Sequence, residues 1–437
     1  MFITDRSRVI SYQTCNRKRF LSYHLSGLGI QKDSLNSNLF IGSCVHRGLE
    51  ILLQEAQANI SAKSFQTDLA VFKALEFFDE GIQKSPFDDE GDANFLYFEY
   101  RSLVEAMIRV YALVGLPELL KEYEILEVEK ELEFWLVEPS KPFDKYRSNN
   151  FGRSEEEGIL FLSRPDAILR RRSDGAILVL SYKTSATYDA KLNDLQNKYD
   201  MQGISETIAV ERWLEADYEE RLGKQKENPT PEGYLDTFSR PKVKGVKMEF
   251  LIKGSKVGTG QYKGQINNFL IHPYQNEKVG TGVDDLVPQY EFENEFGEKK
   301  RLGKDWRKVN IWELGDEALK EWIELLWNDN PQLLKSMVVV PDVYYRNEED
   351  VQDWLDSTIA QEGRVAIALR NLYGIPKEIE SLRLNVEFPK YRHSCFSYNS
   401  RCGFWEICWL GLSPNCADFV PRIPNHEAER NLYQIEK

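Results

Sequence analysis

Long hydrophobic runs are missing from this sequence. No uninterrupted apolar stretch reaches the roughly 20 residues that cross a bilayer, and no basic start leads into a signal-type apolar segment. Cysteine is scarce, with six in 437 residues, which excludes a disulfide scaffold and fits a reducing, cytoplasmic setting with selective thiol use. Positive charge is also short: the formal net charge is -14, so a generally basic nucleic-acid coat is excluded. A locally positive groove is not, because net charge does not say where the cations sit. Basic runs stand at Arg17-Lys18-Arg19 and Arg170-Arg171-Arg172. No internal repeat or low-complexity tract is present. The Gly-rich piece Gly254–Gly264 lacks P-loop spacing and a Gly-Lys-Ser/Thr ending, so it is no nucleotide site.

What remains is a globular composition, 42% hydrophobic and 29% charged, with length for two or three domains. Three sections are expected: a mainly helical 1–120, a mixed α/β core at 121–275, and a mainly helical, cysteine-bearing 276–437. Ser11 is placed to cap a helix over Tyr12–Ser26, ended by Gly27 and Gly29. A second helix is expected over Ile41–Ala56, where Ile41, Cys44, Val45, Gly48, Leu49 and Leu52 form an inward stripe. Further helices are expected over Phe65–Phe78 and Asn94–Val114, around a polar loop at 83–93. Residues 139–157, 220–242 and 276–303 read as polar surface stretches. Helices are also expected near Leu314–Trp327 and Asn347–Leu372.

The chemistry centres on a hairpin. Gly158–Arg170 is apolar and partly alternating, Asp174-Gly175 is a type I′ turn signal, and Ala176–Leu180 reads as a buried strand. An antiparallel return brings Asp166 near Lys183. A salt bridge at a sheet edge is the plain explanation. The alternative is phosphodiester hydrolysis, with Asp166 holding a divalent cation and Lys183 orienting the attacking water and offsetting phosphate charge. His46 and Glu50 lie one turn apart, so His46 is either a core-margin histidine or a ligand reaching the site. The helix expected over Leu195–Leu214 carries Gln202 and Glu206 on one face, Glu206 being an exposed glutamate or a metal carboxylate. Val246, Met248, Phe250 and Ile252 alternate as a further strand.

Cys395, Cys402 and Cys408 fall within fourteen residues, with Cys416 beyond and Cys15 near the other end. The local set 395, 402, 408 and 416 favours a structural zinc. The split set 15, 395, 402 and 408 favours a [4Fe-4S] cluster stapling the two ends. Buried free thiols are the third alternative.

In their order, SYQTCNRKRF (11–20), GSCVHRGLE (42–50), RPDAI (164–168), SYKT (181–184), MQGISE (201–206) and the terminal cysteines resemble the RecB-like/Cas4-like branch of the PD-(D/E)xK nuclease superfamily. The resemblance implies a restriction-endonuclease-like mixed sheet flanked by helices, and Mg²⁺- or Mn²⁺-dependent, exonuclease-like cleavage of DNA, single-stranded or with free ends. It implies His46 and Asp166 as metal ligands, Lys183 as the motif lysine and Gln202 as the helix glutamine. It also implies Cys15, Cys395, Cys402 and Cys408 around a [4Fe-4S] cluster, although the x6 spacing between Cys395 and Cys402 is longer than such members use. Ser181 stands where the family has an acid two residues before the lysine. A hydroxyl holds a divalent cation poorly. Glu206 is the expected replacement, with Glu50 the weaker candidate. Two other functions compete: a DNA-binding module of a repair or recombination complex with a decayed centre, and a zinc-stabilised interaction protein.

Overall fold

The structure is a computed structural model, and it describes residues 2–58, 66–87, 93–139, 158–198, 200–227, 242–253, 255–257, 261–263, 291–293, 299–301, 315–329, 331–397 and 400–433. The first strand, β1 (Phe2–Asp5), leads directly into α1 (Arg6–Thr14). The helix expected over Tyr12–Ser26 is in fact two, because Cys15 is extended (φ -166°) and α2 (Asn16–Tyr23) starts after it. Asp5, not Ser11, caps α1, accepting from the Arg8 amide at 2.8 Å. Gly29 follows at φ +85°, where a Cβ would lie 2.0 Å from the Ser22 carbonyl oxygen. A short strand β2 (Ile30–Lys32) precedes three long helices: α3 (Ser37–Ala58), α4 (Thr67–Lys84) and α5 (Ala93–Glu122).

The apolar stretch expected as one strand over Gly158–Arg170 divides between two sheets. β3 (Tyr123–Val128) joins the central sheet, whereas β4 (Leu132–Val137) and β5 (Ile159–Ser163) form a smaller sheet with β1. Pro165, which has no N–H to give to a ladder, sits at the division before β6 (Ala167–Arg171). The return into β7 (Ile177–Ser185) is also wider than a type I′ turn. The Arg171 amide donates to the Ala176 carbonyl, and only Gly175 is left-handed, at φ +71°. After β7 come α6 (Ala190–Lys198) and α7 (Met201–Glu227), then β8 (Val243–Ile252). β7 runs parallel to β8, so the connection must cross over one face of the sheet, and α7 does so.

Two short hairpins follow, β9 (Ser255–Val257) with β10 (Gln261–Lys263) and β11 (Glu291–Glu293) with β12 (Lys299–Arg301). The remaining elements are α8 (Asp316–Asp329), α9 (Pro331–Lys335), β13 (Val338–Val339), β14 (Tyr344–Tyr345), α10 (Glu348–Leu372) and α11 (Lys377–Glu387). The central sheet runs β13-β8-β7-β6-β3, with β14 also on β8. It is mixed and flanked by helices, as expected. Most of 139–157, 220–242 and 276–303 lies outside the described residues, and of Gly254–Gly264 only β9 and β10 lie within them.

Strand β7 shows why the site forms where it does. Leu178, Leu180 and Tyr182 pack into the large core made by α3, α4 and α5. Val179 packs on the other face, with Ile204, Ile208 and Val210 of α7 and Trp354 of α10. The period of two therefore turns Ser181 and Lys183 toward α7. Each fully buried aliphatic side chain contributes about 1.5–3 kcal/mol, so the register of β7 is held from both sides. A one-residue slip would put Lys183 into the apolar helical core.

The ends of the chain meet. β17 (Phe419–Pro421), the last strand after the pair β15 (Phe396–Ser397) and β16 (Ser400–Arg401), pairs with β2. Arg8 bonds Glu429 of α12 (Glu427–Tyr433), and buried Arg19 bonds buried Glu362 at 2.7 Å. The Ser394 hydroxyl donates to the Thr14 carbonyl at 2.6 Å.

Candidate active site

His46 comes from the buried flank of α3, and its Nδ1 lies 2.9 Å from Asp166 Oδ1. The other Asp166 oxygen accepts the Tyr182 amide at 2.6 Å, so the antiparallel β6–β7 pairing itself fixes the carboxylate. The Tyr182 ring stands edge-on to His46, with centroids 6.2 Å apart at 89°. Burial pushes the Asp166 carboxyl up, but His46, the Tyr182 amide and Lys183 together outweigh it and hold it below the usual carboxylate range.

Glu129 is the third member, and sequence reasoning missed it. His46, Glu129 and Asp166 each offer a ligand atom, all within 4.8 Å of one another; among the described residues no other such trio of His, Cys, Asp or Glu exists. Glu129 follows β3, and its amide donates to the Asp166 carbonyl at 3.1 Å. Its φ of +47° is left-handed, a conformation that costs a non-glycine residue about 1–2 kcal/mol. Burial first, and the Asp166 charge second, push its carboxyl up to about 9, against the Arg164 guanidinium at 3.0 Å. The only signal in the sequence was an acid in a run of acids, Glu124 to Glu133, which reads as the solvated alternates of a strand. A divalent cation fits this trio on chemical grounds. Two carboxylates are hard oxygen donors, the imidazole adds a nitrogen, and two acids crowded together lack the charge that would let both ionise.

On the α7 side, Lys183 donates to Gln202 Oε1. Gln202 Nε2 donates to Glu206 Oε1 at 2.6 Å and to Ser181 Oγ at 3.1 Å. Burial, with the Arg6 charge behind it, lowers the Lys183 ammonium below its ordinary value, while Glu206, Asp166 and Asp200 oppose the shift. Burial pushes Glu206 up to about 8, only partly offset by Lys183, and its Oε2 is buried without a hydrogen-bond partner. Glu206 is thus in the Lys183–Gln202–Ser181 group and outside the His46 trio. Glu50 is turned to Arg47, at 2.5 Å.

Cys15, Cys395, Cys402 and Cys408 line one cavity of about 880 Å³, although they come from opposite ends of the chain. Cys416 does not line it, and Cys44 is buried in the helical core. No cysteine is in a disulfide. The Trp409 indole donates to Cys395 Sγ at 3.3 Å, and the Cys402 amide donates to the Cys395 carbonyl at 2.8 Å. Burial pushes the Cys408 thiol up to about 11 against the pull of Arg17 and Lys390.

Among the described residues, no helix is long and apolar enough to cross a membrane. A search of curated proteins found no match. The sequence does match the family model of the PD-(D/E)XK nuclease superfamily over residues 6–245, more than half of the chain and the span that holds His46, Glu129, Asp166, Ser181, Lys183, Gln202 and Glu206. The chain therefore belongs to the PD-(D/E)XK nuclease superfamily.

Proposed function

We propose that the protein is a Mg²⁺- or Mn²⁺-dependent deoxyribonuclease of the RecB-like/Cas4-like branch, exonuclease-like in its action on DNA. The observation that carries this reading is the convergence of His46, Glu129 and Asp166 beside β7, the strand that carries Lys183. When bound, the cation lowers the pKa of its water and neutralises the non-bridging phosphate oxygens. The chain's own groups do the rest. Asp166 and His46 hold one another, and the Tyr182 amide keeps the carboxylate aimed. Glu129 supplies the second carboxylate that Ser181 cannot. Lys183, with a lowered pKa and one donor on Gln202, orients the attacking water and offsets phosphate charge. Glu206, held largely neutral by burial, anchors Gln202 and through it the lysine.

The cysteine cavity supports a [4Fe-4S] cluster on Cys15, Cys395, Cys402 and Cys408 over a structural zinc. Tetrahedral zinc draws its sulfurs to about 3.8 Å from one another, as its 2.3 Å bonds require. No three of these thiols lie within 4.8 Å of one another, and Cys416, the fourth ligand of the zinc alternative, lies off the cavity. Such a cluster would staple the first helices to the tail.

One observation favours a second reading, a DNA-binding module with a decayed centre: Ser181 is fully buried and bonded to Gln202, with no acid at the usual place. Incubating the pure protein with labelled single- and double-stranded DNA, with Mn²⁺, Mg²⁺ or chelator, separates the two. Cation-dependent cleavage lost in Asp166→Ala and Lys183→Ala supports the enzyme. DNA binding without cleavage in any condition overturns it.

A further inference from the structure

Four arginines stand on α1 and α2, and three of them are firmly bonded. Arg8 donates to Asp5 and Glu429, Arg17 to the Phe388 and Leu384 carbonyls and to Asn385 Oδ1, and Arg19 to Glu362 and His24. Arg6 is the exception. Among the described residues its guanidinium donates no hydrogen bond, and its side chain is 38% exposed. Its one ion pair, with Asp200 Oδ1 at 3.9 Å, is loose, and that oxygen already accepts the Gln202 amide at 3.2 Å. Nothing in the fold rewards this placement. As the first residue of α1, Arg6 puts its charge at the positive end of the helix dipole. It also faces a like charge: in lowering the Lys183 ammonium, Arg6 is second only to burial and outweighs the separate pulls of Glu206, Asp166 and Asp200.

The charge of Arg6 reaches Glu206 as well, whereas His46, the Tyr182 amide and Lys183 set Asp166. Arg6 therefore belongs to the α7 side of the site, with Lys183 and Gln202, and not to the metal trio. Two cations held together in a chain of net charge -14 cost free energy that an anion lying across both recovers. We propose that Arg6 is a substrate-contacting residue of the nuclease site, its guanidinium taking the DNA phosphate next to the one that is cut, while Lys183 serves the scissile phosphate. The identity of this ligand rests on the nuclease reading above. A guanidinium suits the task, because its planar fork matches the two non-bridging oxygens of a phosphodiester. The substrate class that follows is a strand with charged phosphates at two successive linkages.

The test uses the full-length protein with Mn²⁺ and a labelled single-stranded oligonucleotide in which one methylphosphonate, an uncharged linkage, is moved along the strand. On one side of the methylphosphonate, the parent should cut the adjoining bond about ten-fold more slowly than in all-phosphate DNA. Arg6→Ala should cut all-phosphate DNA about ten-fold more slowly, through KM, and lose nothing more to the methylphosphonate. Arg6→Lys, which keeps the charge without the fork, should recover part of the loss. Mn²⁺ affinity should stay within about two-fold in both variants, and Arg6→Ala should reduce the slope of log K for DNA against log salt by about 0.7. Equal cleavage by Arg6→Ala and an active parent, or an equal methylphosphonate penalty in the two, overturns the role of Arg6 and leaves the nuclease reading standing. A parent that binds DNA but cuts nothing overturns the nuclease reading, and the salt slope then decides Arg6: a fall supports the phosphate contact and no change overturns it. Absence of DNA binding overturns both.

Discussion

Glu129→Gln separates the two candidate replacements for the missing strand acid. The change keeps the shape and a hydrogen-bond donor toward Asp166 while removing the charge a cation would use. Removing one oriented stabilising group costs hydrolases about 3–4 kcal/mol, which lowers kcat by roughly 10²–10³. Mn²⁺ affinity, read by calorimetry, should fall with it. The metal-free protein should hold its Tm or gain, because a buried carboxyl raised to about 9 is a burden wherever the unfolded chain would ionise it. Glu206→Gln should leave Mn²⁺ affinity within about two-fold, since Glu206 bonds Gln202 and is outside the trio. If Glu206→Gln abolishes cation binding while Glu129→Gln leaves binding and cleavage unchanged, the assignment of Glu129 is wrong.

Other outcomes follow from the same structure. Because His46 contributes nitrogen, Mn²⁺ should reach half-maximal activity at a lower concentration than Mg²⁺, and His46→Asp should narrow the gap. Purified without oxygen, the protein should be brown, absorb broadly near 400 nm and carry about four irons per chain; Cys15→Ser or Cys402→Ser should bleach it while Cys416→Ser should not. A colourless protein containing zinc would sink the cluster. Glu249 is nearly fully buried, and burial pushes it up to about 7 against Lys247 and the Tyr111 hydroxyl. The folded state therefore keeps a proton that the unfolded chain releases above about 4.5. Its contribution to stability should decline by up to about 3 kcal/mol as pH rises from 4.5 to 7, then level off. Glu249→Gln should flatten that slope in urea titrations.

The sequence carried the long-period features well. The stripe from Ile41 to Leu52 named the inward face of α3, and alternation on β7 placed Ser181 and Lys183 together on the face opposite Tyr182. Asp166 and His46 were legible because each stands alone in its stretch: a carboxylate at the mouth of an apolar hairpin, a histidine beside an apolar stripe. Glu129 was not legible, since a left-handed turn after β3, rather than any spacing, swings it onto Asp166. Pro165 and Cys15 mark breaks that apolar pattern alone reads through, and so one strand became two and one helix became two. That Cys15 lines one cavity with Cys395, Cys402 and Cys408 depends on contacts such as Ser394 to Thr14, hundreds of residues apart, which no local pattern contains.

The most direct measurement is anomalous diffraction from crystals soaked in Mn²⁺. A single strong manganese peak should lie between the His46 imidazole and the carboxylates of Glu129 and Asp166, about 2.0–2.3 Å from each ligand atom. Manganese bound beside Glu206 instead, or no peak near Asp166 at saturating Mn²⁺, would contradict the proposed centre.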